Sequence, residues 1–326
     1  MELGVHLPLI DFGDGSADAT LLHEYTERAD DLGFRTAAAN DHLVFSRPWT
    51  DGLAALAAVA SASGSMRLAT TVGLPVVRGP VAFAKSIAAI DRLSGGRVVA
   101  GVGPGSSRRD YQLVGIDFAE RWARFDEALV ALRALWRGDT TFAGRFYSTH
   151  DVELLPPPEQ TDGPPLWIGS WGSGAGLRRV ARFGDGWLAS AYNTTPEAFA
   201  ERRAVLDGLL IAERKEPAAF PAVLATMFCY LSDDEDEAEQ TFRERVAPML
   251  DRPADELRAR LLFGNAERIV HELIAWRDAG VHEVLLWPVR DEVRQLEQFR
   301  EQVWPHIAHD RTASRSPLRR GPSGMT

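Results

Sequence analysis

His42 follows Asp41 directly in "NDHL", and imidazole is the side chain whose ordinary pKa best suits proton transfer near neutral pH. An Asp-His pair in a loop is also an ordinary structural feature, so its place in the fold decides between the two readings. Glycines offer a second kind of chemistry. "VVAGVGPGSSRRDY" (98–111) sets Gly101, Gly103 and Gly105 behind a β-branched run, and "GSWGSGAG" (169–176) has the same character. Such loops let the backbone approach a ligand, and N–H groups in a nest or at a helix start bind anions. The same residues also make plain turns. Gly-x-Gly-x-Gly lacks the Gly-x-x-Gly ending of a dinucleotide site and follows the fourth strand rather than the first, which argues against a Rossmann domain. Arg108 and Arg109 read either as charge partners of the loop or as solvated surface. His6 is expected to point inward from the first strand, while Phe45, Trp49 and Trp171 are aromatic candidates for a pocket wall or for ordinary packing.

Other chemistries have no motif behind them. There is no HExxH, no Cys-His cluster and no EF-hand loop, so no metal site is expected. Neither a Gly-x-Ser-x-Gly elbow nor a GxxxxGK[ST] loop occurs. The single cysteine, Cys229, lies in apolar "AVLATMFCYL" and reads as a buried thiol. A formal charge of −10 disfavours a nucleic-acid partner. No apolar run reaches the roughly 18 residues of a membrane span, and "MELGVHLPLI" lacks the character of a secretory signal. A cytoplasmic enzyme with a small-molecule substrate is expected.

The elements that must position these residues alternate. "LGVHLPL", "RTAAAN", "MRLATTVGL", "RVVAGVG", "PPLWIGS", "DGWLAS", "AAFPAVLATMFCYL" and "VHEVLLWPV" read as eight strands separated by segments of helical period, which predicts an α/β TIM barrel. The first helix runs from about Thr20 to Leu32, and an alanine-rich one reaches about Gly64. Longer excursions follow strands four and seven. After strand four comes a long connection from Pro104 to about Glu120, then a helix ending at Gly138 and a hairpin in "TTFAGRFYSTHDVELLPPP". Residues 1–308 form one domain, and the basic tail 309–326 reads as disordered. In this frame "NDHL" and both glycine loops follow strands two, four and five, on the face where barrel active sites lie.

The ordered series "ADDLGFRTAAANDHL", "RLATTVGLPVVRGPVAFAKSIAAIDRLSGGRVVAGVGPG", "ERWARFDEALVALRALWRG", "GRFYS", "PPLWIGSWGSGAGLRRVARFGDGW" and "AGVHEVLLWPV" resembles the bacterial luciferase-like family of flavin- and deazaflavin-dependent oxidoreductases, from Leu3 to about Ile307. The resemblance implies a barrel with coenzyme F420, or alternatively FMN, across its C-terminal mouth. His42 and Asp41 would be the catalytic pair. Thr71, Val72 and Gly73 would form a bulge under the ring, with a cis bond from Thr71 to Val72. Gly103, Pro104, Gly105 and Ser106 would meet the phosphate or ribityl chain from strand four, and Gly172, Ser173 and Gly174 from strand five. The implied reaction is hydride transfer between F420 and a small organic substrate. An FMN monooxygenase, served by a flavin reductase, and a flavin-binding protein without turnover are the alternatives. A homodimer is the implied assembly. One position departs from the sugar-phosphate dehydrogenase branch, where a glutamate follows the strand-four glycines: here it is Ser106.

Overall fold

Short, buried, β-branched or alanine-rich segments alternate with amphipathic helices until the sheet meets itself. The chain, as a computed structural model, is described over residues 1–151 and 153–307; the expected disordered tail lies outside the described residues. Eight parallel strands, β1 (Glu2–His6), β2 (Thr36–Ala39), β3 (Arg67–Thr70), β4 (Val98–Val102), β5 (Leu166–Gly169), β6 (Gly186–Ser190), β7 (Ala222–Leu231) and β8 (Glu283–Pro288), pair in sequence, and β1 also pairs with β8. The sheet is thereby a closed TIM barrel. A short strand, Leu262–Gly264, extends it beside the end of β7.

Period two divides each strand between two cores. Alternate residues such as Leu3, Val5, Leu68 and Val98 face the surrounding helices, whereas Ala38, Ala69, Val99, Trp167, Leu188, Val223 and Leu285 fill the barrel interior. The interior is therefore a packed plug rather than a pore. Near its N-terminal end Arg67 pairs with buried Glu283 at 2.6 Å and lies over the Trp167 ring. Gly4 is required there, because a Cβ would stand 2.6 Å from Leu285 and 2.8 Å from a Glu283 oxygen.

The helices follow from their apolar spacing. In Arg121–Arg137, Phe125, Ala128, Leu129, Leu132 and Trp136 recur at intervals of three and four and are buried, and Gly138 ends the helix at φ +85°, where glycine meets no steric penalty. The hairpin Phe142–Ala143 with Ser148–Thr149 follows, held by Glu127, whose carboxylate accepts from the backbone of Arg145, Phe146 and Tyr147 at 2.7–3.0 Å. One boundary differs from expectation: the alanine-rich helix is Gly52–Val59, stopping short of Gly64. The long connection after β4 contains a helix at Arg108–Leu113 and a 3-10 turn at Phe118–Glu120. Ser107 caps that helix by accepting from the Asp110 amide at 3.3 Å. Cys229 is buried without a disulfide partner, and burial pushes its thiol up.

Candidate active site

Three consecutive residues after β2 bind the C-terminal mouth together. Asn40 Oδ1 accepts from the Val72 amide at 3.2 Å and so reaches the end of β3. Asp41 accepts from the Leu74 amide at 3.1 Å and from Arg78 Nε and Nη2 at 2.8 and 2.6 Å. His42 reaches across to the connection after β4, its Nδ1 standing 2.9 Å from Asp110 Oδ2. The other Asp110 oxygen accepts from the Leu43 and Val44 amides at 3.0 and 3.1 Å, fixing the backbone that carries the histidine.

These contacts give Asp41 and His42 different work. The Asp41 carboxylate is 1 % exposed, and Arg78 holds it bidentately while also pairing with Asp51 at 2.5 Å. Burial acts to lower the Arg78 pKa, but the hydrogen bonds and charges of Asp41 and Asp51 outweigh it and hold the guanidinium above its ordinary value. The structure thus places Asp41 in a latch between the loops after β2 and β3. His42, by contrast, is tied at one nitrogen only. Burial acts to raise the Asp110 carboxyl; the hydrogen bond from His42 and those from Val44 and Leu43 prevail and hold it below the ordinary carboxylate value. An ionised carboxylate only accepts, so His42 carries its Nδ1 proton toward Asp110, and its Nε2 has no hydrogen-bond partner among the described residues.

The expected bulge after β3 is present, and the Thr71–Val72 bond is cis. Thr71 N–H donates to Ala39 at 2.8 Å, and Gly73 exchanges backbone hydrogen bonds with Gly101 and Gly103. Val72 fills the space left by two glycines: a Cβ on Gly103 or on Gly169 would stand 2.8 Å from its methyl groups. The ends of β3, β4 and β5 converge on this side chain. Pro104 is buried and its carbonyl accepts from the Tyr111 hydroxyl, while Gly105 turns the chain at φ +82°. Ser106 is exposed. Gly172, at φ +86°, lies against Arg202, and Ser173 caps the helix Gly174–Phe183. Ser173 and Gly174 are solvent-facing, and no hydrogen bond joins them to the strand-four loop among the described residues. Arg108 lies over the Phe118 ring, 4.5 Å from its centroid, and Trp171 is exposed beneath Arg252.

Aromatic rings wall the opposite side. Trp49 meets His42 and Phe45 at 5.0 and 4.8 Å and Trp287 edge-on at 5.7 Å. Trp287 stacks on His6 at 4.1 Å and on Phe228 at 4.8 Å. Four buried polar atoms at this mouth have no protein partner among the described residues: His6 Nδ1, Trp49 Nε1, Thr71 Oγ1 and Trp287 Nε1. Buried polar groups ordinarily find one. The Val72 side chain seated on Gly103 and Gly169, orphaned buried polar atoms and a helix N-terminus fit a planar cofactor that carries an anionic chain. Asp110, Asn40, Arg78 and Trp287 escaped the sequence reading. Asp110 had a signal, standing three residues after Ser107, but its partner is 68 positions away.

A closed parallel barrel with a carboxylate-held histidine, an aromatic wall and glycine-lined strand ends defines a TIM-barrel enzyme with its site at the C-terminal mouth. The luciferase-like monooxygenase family model matches residues 1–283, and the chain belongs to that family. It is 29% identical to an F420-dependent glucose-6-phosphate dehydrogenase of Amycolatopsis mediterranei, over 88% of this chain and 94% of that one. Among solved structures it resembles the monooxygenase RslO1 of Streptomyces bottropensis (TM-score 0.83, 24% identity, 94% of this chain and 100% of that one). It also resembles an F420-dependent secondary alcohol dehydrogenase in complex with an F420-acetone adduct (TM-score 0.81, 18% identity, 94% and 99%). No described helix is long and apolar enough to cross a membrane.

Proposed function

We propose that this protein is an F420-dependent oxidoreductase that transfers a hydride between the deazaflavin and a small organic substrate. The observation that carries the reading is His42, held through Nδ1 by Asp110 with no partner at Nε2 among the described residues, at the same mouth as the Val72 bulge seated on Gly103 and Gly169. When bound, the deazaflavin supplies a carbon centre, C5 of its ring, that gives or takes a hydride. His42 Nε2 takes the hydroxyl proton when an alcohol is oxidised and returns it when a carbonyl is reduced, while Asp110 stabilises the imidazolium formed on the way. Val72 and the Gly103 and Gly169 backbones support the ring, and the loops at Gly103–Ser106 and Gly172–Gly174 take the ribityl chain and phosphate. The relatives named as F420-dependent dehydrogenases, including one for hydroxymycolic acid, support the cofactor. Exposed Ser106, where the sugar-phosphate branch has a glutamate, argues for a different substrate. FMN-dependent oxygenation is the second reading, favoured by the likeness to the monooxygenase RslO1 and to a type II Baeyer-Villiger monooxygenase in complex with FMN.

The test uses reduced F420 deuterated at C5 and a panel of ketones, assayed without oxygen. Deuterium on the carbinol carbon of a product is the expected result. Oxygen uptake with reduced FMN, and no label transfer from F420, would replace this reading with the second.

A further inference from the structure

Two pairs of neighbouring arginines divide their work at the loop after β5. Arg179 pairs with Asp126, and Arg203 pairs with Asp207 at 2.7 Å. Arg178 and Arg202, one position earlier in each helix, have no carboxylate partner among the described residues and lie against the loop instead. A Cβ on Gly172 would collide with Arg202 Cδ, and one on Gly174 would stand 3.6 Å from Arg178 Nη1. Arg252 joins them from the connection after β7, its guanidinium 5.9 Å from the centroid of the Trp171 ring, and it too has no carboxylate partner among the described residues. A guanidinium carries five N–H donors. Arg202 gives one to Thr194 Oγ1 at 2.7 Å, and Arg252 gives one to Asn193 Oδ1. Arg178 and Arg252 are exposed and Arg202 is partly buried. Three guanidiniums with open donors thus surround Trp171–Gly174, in a chain whose formal charge is −10.

We infer that Arg178, Arg202 and Arg252 form a carboxylate subsite that takes the acidic end of the cofactor's side chain, beyond its phosphate. This inference rests on the proposed F420 reading and deepens it, by naming residues that choose between cofactors. A phosphate at the Gly172–Gly174 loop is met by backbone N–H groups at the start of the helix Gly174–Phe183, which leaves the guanidiniums for further negative charge. The side chain of F420 continues past its phosphate through lactyl and γ-linked glutamyl carboxylates, whereas that of FMN ends at the phosphate. A guanidinium fork matches a carboxylate in shape and charge. Exposure lets a chain lying over the rim reach these arginines, and it limits each contact to the modest strength of a solvated pair.

The probes are the ribityl deazaflavin without phosphate, its phospholactate ester, and the same ester carrying two γ-linked glutamates, each titrated into the protein and followed by deazaflavin fluorescence. Wild type is expected to bind the diglutamyl form about five-fold more tightly than the phospholactate form at low ionic strength. That ratio should approach one near about 1 M salt, where the screening length is about 3 Å. Arg178→Gln and Arg252→Gln together, both at exposed positions, should remove most of the ratio while the unphosphorylated form binds as before. Adding Arg202→Gln should remove the rest, whereas Arg202→Lys, which keeps the charge, should not. Arg182→Gln changes an exposed arginine in the last turn of the same helix; it controls for net charge and should leave the ratio unchanged. Equal affinities of the two esters in wild type, a ratio that survives the triple variant, or the same loss in Arg182→Gln would overturn the inference. So would an equal loss for all three forms, the mark of a structural role. In each of these cases binding of the unphosphorylated form leaves the cofactor reading standing, whereas binding of none of the three by wild type strikes both.

Discussion

His42 divides its two nitrogens between structure and chemistry, and the division makes separable demands on variants. His42→Ala should lower turnover by about 10²- to 10⁴-fold while the cofactor dissociation constant stays within about three-fold, because the glycine loops do not depend on the ring. Steady-state rates beside a cofactor titration check this; unchanged turnover would remove His42 from the proton path. Asp110→Asn is subtler. The amide oxygen still accepts from Leu43 and Val44, so the loop should hold, but the new NH₂ competes for His42 in the wrong tautomer, and turnover should fall without loss of fold. Asp110 also carries a pH signature. Its pKa in the folded chain lies below the ordinary 3.8, so its contribution to stability is complete above that value and is lost as the pH falls beneath it. Urea midpoints measured from neutral pH down through that range should converge between wild type and Asp110→Asn. A gap that stays constant would show that the carboxylate charge is not what stabilises this contact.

Between single residues and the whole barrel stand the loops, and Arg78 is their fastener. It ties Asp41 after β2 to Asp51 at the start of the helix Gly52–Val59. Arg78→Leu leaves the Asp41 carboxylate buried and unpaired, a loss of about 3–5 kcal/mol, and should lower Tm by on the order of 10 °C. Calorimetry reads this directly, and a shift near zero would mean that Asp41 finds water or another partner. The Gly103→Ala change acts differently, since the new methyl would meet Val72. Overpacking of this kind costs about 1–3 kcal/mol, and cofactor affinity is expected to fall with it. The strands and helices behind these loops were legible in the sequence because period two and period 3.6 are local properties. The fasteners were not: Asn40 with Val72, Arg78 with Asp41 and Asp110 with His42 are separated by 32, 37 and 68 positions. Asp41 illustrates the cost of reading a pair from its spelling. Adjacent to His42 in sequence, it turns its carboxylate to Arg78, and the carboxylate that His42 uses comes from another loop.

At the scale of the molecule, closure explains why short, weak signals add up. Each of the eight strands is only 4 to 10 residues long, yet pairing of β1 with β8 leaves one face of the barrel on which all the strand ends, and hence all the candidate residues, must gather. The order of the motifs along the chain was therefore enough to place His42, the Thr71–Gly73 bulge and the strand-four glycines at one mouth. Sequence order does not say how side chains meet inside that mouth, and the aromatic wall of His6, Trp287 and Trp49 emerged only when β8 was brought beside β1. The central claim is that this mouth holds a deazaflavin. Its most direct test is an anaerobic titration of the purified protein with F420 and, in parallel, with FMN, followed by cofactor absorbance and fluorescence. Saturable 1:1 binding of F420, at least about ten-fold tighter than that of FMN, is the expected result. Preference for FMN, or binding of neither, would contradict it.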